Sequence, residues 1–81
     1  MKVLVHFYAQ LRDLAGRSEM EIDFTANATV GDLLEEIYER IPALRSHDKS
    51  ILTGAGVDFV DRDYQVRSGD TISVMPPVQG G

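Results

Sequence analysis

One segment limits the folds open to this chain more than any other. In TVGDLLEEIYERIP, Val30, Leu33, Leu34, Ile37 and Ile41 recur at the i, i+3, i+4, i+7, i+11 spacing of a single helical face. Thr29 stands before the run as an N-cap, and Asp32 occupies the acidic position of a capping box. Pro42 cannot continue a helix, so the element is predicted to stop near Ile41. Glu35, Glu36, Glu39 and Arg40 fall on the opposite face, with Glu36 and Arg40 in favourable i,i+4 order. A helix that is apolar along one stripe needs one covering layer, and the flanking sequence supplies strands to make it.

KVLVHFY (Lys2 to Tyr8) is rich in β-branched and aromatic residues and reads as a strand. Val3, Val5 and Phe7 fall on one face and Leu4, His6 and Tyr8 on the other. Apolar groups on both faces suit a central strand, or one whose second face meets a partner. AQLRDLAGR carries Leu11 and Leu14 three apart and is predicted to make one helical turn that Gly16 ends. SEMEIDF alternates Met20, Ile22 and Phe24 inward with Glu19, Glu21 and Asp23 outward, completing a first hairpin. Beyond the helix, ALRSHDKS is expected to be a loop, ILT a short strand, GAG a turn and VDFV another short strand. DRDYQVRSGD is polar, with Tyr64 or Val66 as its buried candidate and a turn at Ser68-Gly69-Asp70. TISVM is the last strand, with Ile72 and Val74 inward, and Pro76 and Pro77 end it because neither can donate to a ladder. The first and last strands are the most apolar and form the natural central pair. The fold class is therefore α+β, a β-grasp (ubiquitin-like) mixed sheet with one main helix packed on one face. Residues 1–75 make the domain, and residues 76–81 a flexible C-terminal Gly-Gly tail.

Composition narrows the function classes. The formal net charge of −5 argues against nucleic acid, which needs a dense basic face, and suits a partner with a basic groove. The absence of cysteine removes disulfides, thiolate metal sites and cysteine nucleophiles. No apolar run approaches the ~20 residues of a membrane span, and a strand pattern begins at once where a signal segment would stand, so the expected location is cytoplasmic. Ser46, His47 and Asp48 are adjacent, but neighbouring side chains in a loop point apart and a hydrolytic triad must converge. His6 and His47 lie too far apart in sequence to signal a metal site, and the helix carboxylates recur at solvent positions. The body thus holds no catalytic set, and the chain is not expected to be an enzyme alone.

That leaves MPPVQGG. Two prolines stiffen the exit from the last strand, Val78 is apolar in a segment expected to be exposed, and Gly80 and Gly81 can enter a channel too narrow for any side chain. From Pro76 to Gly81 the extended reach is roughly 20 Å. ATP can convert a terminal carboxylate to an acyl-adenylate, from which a persulfide displaces AMP to give a thiocarboxylate. The same carboxylate could instead be joined to a lysine. Both chemistries need an accessible terminal glycine.

VLVHFYAQLRDLAG at the start and GDTISVMPPVQGG at the end resemble the small subunit of molybdopterin synthase, a ubiquitin-like sulfur carrier. The likeness covers essentially the whole chain, its most specific part being PPVQGG, followed by the Tyr8 to Gly16 run. Thr53-Gly54-Ala55-Gly56 departs from the family's hairpin, which often carries Asn, and Met75 replaces the aromatic that commonly precedes the prolines. The resemblance implies that a partner similar to ubiquitin-activating enzymes adenylates Gly81, using ATP, and that a sulfurtransferase supplies the sulfur. It implies no bound cofactor and no metal. Gly80, Gln79, Val78, Pro77 and Pro76 would guide the tail into the large catalytic subunit of a heterotetramer, where the dithiolene of molybdopterin is built. Leu4, Tyr8 and Met75, outward on their strands, are the expected docking residues. A carrier for thiamine or tRNA thiolation, or a ubiquitin-like protein modifier, are the alternatives.

Overall fold

The computed structural model describes residues 1–24 and 27–77. Its elements follow in the order β1 (Lys2–Phe7), α1 (Ala9–Ala15), β2 (Glu19–Asp23), β3 (Ala28–Thr29), α2 (Val30–Arg40), a 3₁₀ segment (Pro42–Ser50), β4 (Leu52–Ala55), β5 (Asp58–Val60), β6 (Gln65–Val66) and β7 (Thr71–Met75). The main sheet has the order β2-β1-β7-β4-β5. β1 and β7 run parallel, with Val5 opposite Ile72, while β2 joins β1 and β4 joins β7 antiparallel. The first and last strands are therefore neighbours inside the sheet, as their apolar content predicts. The mixed β-grasp sheet with one main helix is borne out.

Alternation along the strands decides the core. Val3, Val5, Phe7, Met20, Ile22, Ile72 and Val74 project from one sheet face and are buried. Over them lies α2, which buries Val30, Leu33, Leu34, Ile37 and Tyr38. The capping box forms as the sequence suggests: Asp32 N–H donates to Thr29 Oγ1 at 3.2 Å, and Thr29 N–H donates to the Asp32 carboxylate at 3.0 Å. Each fully buried aliphatic side chain contributes about 1.5–3 kcal/mol of transfer free energy, so this one stripe outweighs every surface ion pair in the molecule.

Three local expectations change. The single turn expected after Tyr8 is a seven-residue helix, closed by Gly16 at φ 74, whose N–H donates to the carbonyls of Arg12 and Asp13. Leu11 is buried on it, Ala15 is half-buried and Leu14 is exposed, so the periodic signal is weak. The segment read as a loop after Pro42 is 3₁₀ helix. Proline sets the first dihedral, and Leu44, fully buried, pins the segment under α2. Finally, β4 runs through Gly54 and Ala55, because the ladder to β7 continues from Leu52 opposite Met75 to Ala55 opposite Ile72. The turn falls at Gly56-Val57, with Gly56 at φ 61. Val66 is the core residue of the polar stretch, and its strand β6 pairs with β3 in a second small sheet that sequence periodicity did not reveal.

Candidate functional site

The helix covers one face of the sheet and leaves the other open. Register places three rows of side chains on that open face. Leu4 lies between Glu21 and Thr71; His6 lies between Glu19 and Ser73, with Gly54 and Phe59 continuing the row; Met75 lies opposite Leu52. Tyr8 extends the β1 ladder one step past Phe7, its N–H donating to the Val74 carbonyl at 3.2 Å. The three docking residues named from sequence are thus on one face: Leu4 and Met75 half-buried, Tyr8 45% exposed.

Phe59, 72% exposed, and Leu52 belong to the same surface, and Val57 projects from the hairpin tip beside them. Sequence reasoning did not single these out. A strand as short as Asp58–Val60 has too little alternation to say which residue faces out, and only its pairing with β4 decides it. A run of exposed apolar side chains of this kind marks an interaction surface.

Acids fence the β2 side of the strip. Glu21 lies 3.8 Å from Lys2 Nζ, and Asp23 lies 3.2 Å from the N-terminal ammonium. His6 Nε2 is 3.1 Å from Glu19 Oε2, close enough to attract when the imidazole is protonated, yet off the line a hydrogen bond requires. That nitrogen is covered from solvent and has no hydrogen-bond partner among the described residues. Among the described residues it is the one buried side-chain nitrogen or oxygen left in that condition.

The strand that carries the tail is β7, interior to the sheet. Pro76 is half-buried and Pro77 exposed where it leaves. The expected sulfur-bearing residue Gly81, with Gly80, Gln79 and Val78, lies outside the described residues.

The Ser46-His47-Asp48 run makes no triad. Asp48 accepts from the Tyr38 hydroxyl at 2.6 Å and from Arg62 Nη1 at 2.8 Å, and its carbonyl accepts from Arg62 Nη2 at 2.6 Å. Ser46 Oγ donates to the Ala43 carbonyl, not to a histidine. The hydrogen bond from Tyr38, and then Arg62, hold the Asp48 carboxyl below the usual aspartate value, while burial and Asp48 push the Tyr38 hydroxyl up. These three side chains latch α2, the 3₁₀ segment and the stretch after β5 together. No cluster of three or more potential metal ligands occurs among the described residues, and no described helix is long and apolar enough to cross a membrane.

A β-grasp body with an open apolar sheet face, and an interior strand leading through Pro-Pro toward Gly-Gly, defines the ubiquitin-like carrier and modifier proteins as a class. Within that class the chain belongs to the ThiS family, whose model matches residues 5–81. It is 30% identical to the molybdopterin synthase sulfur carrier subunit of Chlamydomonas reinhardtii over 84 residues, covering 100% of both. It is 29% identical to small archaeal modifier protein 1 of Haloferax volcanii, covering 91% of this chain and 94% of that one. Among solved structures, a putative molybdopterin converting factor subunit 1 from Pyrococcus furiosus superposes with a TM-score of 0.87 at 32% identity, covering 96% of this chain and 99% of that one.

Proposed function

We propose that this chain is the sulfur-carrier subunit of a molybdopterin synthase. The observation that carries the reading is its end-to-end similarity to molybdopterin synthase sulfur carrier subunits, joined to a body whose open face and tail exit lie on the same strand. In this scheme residues 1–75 are the docking body and 76–81 the delivery arm. The Gly81 carboxylate attacks the α-phosphorus of ATP on an adenylating partner, releasing pyrophosphate and leaving an acyl-adenylate. A persulfide sulfur from a sulfurtransferase attacks the acyl carbon and AMP departs. A thiol then cleaves the S–S bond, leaving the thiocarboxylate on Gly81. Pro76, Pro77, Val78, Gln79 and Gly80 thread that group into the large subunit, while Leu4, Tyr8 and Met75 hold the body against it. The chain binds no cofactor and acts in the cytoplasm, where these partners and ATP are available.

Incubation with the adenylating partner, ATP and a sulfur source should replace one oxygen by sulfur in the intact mass. A mass that does not change, or a gain that survives deletion of Gly81, ends the carrier reading. Residues appended after Gly81 should abolish the gain and leave the fold intact. A second reading has its own support, since similarity to small archaeal modifier protein 1 is nearly as high and also spans most of the chain. On that reading the acyl-adenylate is attacked by a lysine amine, and Gly81 would be found in amide linkage to other proteins.

A further inference from the structure

Gly54 sits in the interior of β4, faces outward, and has no left-handed dihedral that would demand glycine. Glycine weakens a strand at such a place and often marks a close approach by another group. Here it floors a cavity of 110 Å³ on the open face, walled by Phe59, Met75, Val57 and Ser73. A Cβ at Gly54 would enter that space, 3.4 Å from Met75 Cε and 3.2 Å from the Asp58 carbonyl oxygen.

We infer that this notch is a socket for one aliphatic side chain, leucine or methionine in size, presented by the partner that takes up the tail. The inference rests on the carrier reading above. Three observations fix the occupant. The walls are mainly carbon, from an aromatic ring, a thioether and an isopropyl group, so a charged or strongly hydrated group gains nothing there. The volume is that of one side chain, so the notch seats a single residue. The third concerns position. Met75 is both a wall of the notch and the last residue of β7, directly before Pro76 and Pro77, so a partner that takes up the segment beyond Pro77 meets the notch beside it. Well-packed apolar pockets that lose their water on binding are where binding energy concentrates in protein interfaces.

Calorimetric titration of the full chain with the large subunit of the same organism tests the socket. Gly54→Ala raises the floor, and Ser73→Val fills the notch from the neighbouring strand β7. Glu39→Gln, on the outer face of α2, is the control. Both filling variants are expected to weaken binding about tenfold or more, with the control within about twofold. Thermal melts establish which variants fold; if Gly54→Ala does not, Ser73→Val alone decides. Wild-type affinity in a folded Ser73→Val overturns the socket and leaves the carrier reading standing. Failure of the wild-type chain to bind the large subunit overturns both.

Discussion

Replacing Asp48 with asparagine should unfasten the latch beneath the hairpin. The Tyr38 hydroxyl and Arg62 Nη1 both donate to the same carboxylate oxygen of Asp48, and an amide oxygen there keeps the geometry but loses the charge that strengthens both bonds. Hydrogen bonds to charged groups contribute about 1.5–3 kcal/mol each. The Arg62 and Asp48 side chains are 42% and 38% exposed, so solvent screens the ion-pair share and the lower end of that range applies. A loss of about 1.5–2 kcal/mol lowers the melting temperature of a domain this size by roughly 10 °C. The pH dependence is the sharper test. Asp48 titrates below its ordinary value of 3.8 in the folded chain. Its contribution is then fully present above the unfolded value and disappears as pH falls through the folded one. The gap between wild type and Asp48→Asn, followed by circular dichroism melts, should be full at neutral pH and close only below the ordinary aspartate value of 3.8. Equal stability at neutral pH, or a gap that stays open in acid, contradicts the latch.

Thr29→Ala removes the N-cap oxygen of α2 and should cost about 1 kcal/mol in urea melts, with docking to the large subunit unchanged. Ala9 has φ 52 at the start of α1, a left-handed conformation costing an alanine roughly 1–2 kcal/mol, so Ala9→Gly should leave the melt unchanged or raise it. A clear loss of stability there would show that the junction is unstrained. Tyr8→Ala should weaken large-subunit binding, because the ring is 45% exposed on the open face, while shifting stability by less than the buried Phe7→Ala would. Unchanged affinity would place the docking surface elsewhere.

Legibility tracked the length and regularity of each pattern. α2 was readable to the residue at its cap, since five apolar positions, Thr29 and Pro42 all spoke for the same boundaries. The alternation of β2 and the two-faced character of β1 fixed the core and the open face together. What escaped was held by single anchors or by distant partners. Leu11 is the one fully buried residue of α1 and Leu44 that of the 3₁₀ segment, and β3 and β6 are two residues each, paired across 36 or more positions. Leu4, Tyr8 and Met75 were legible from strand parity, whereas Phe59 and Gly54 gained meaning only once the β4–β5 register placed them side by side.

The interior position of β7 has a mechanical consequence. Any pull on the tail is delivered through Pro76 and Pro77 along the axis of a strand bonded on both sides, to β1 in parallel and to β4 antiparallel. Both ladders are then loaded in shear, with their hydrogen bonds strained together instead of one after another. A partner could tug on the arm without peeling the strand from the sheet, and the load would spread into the first residues of the chain as directly as into the last.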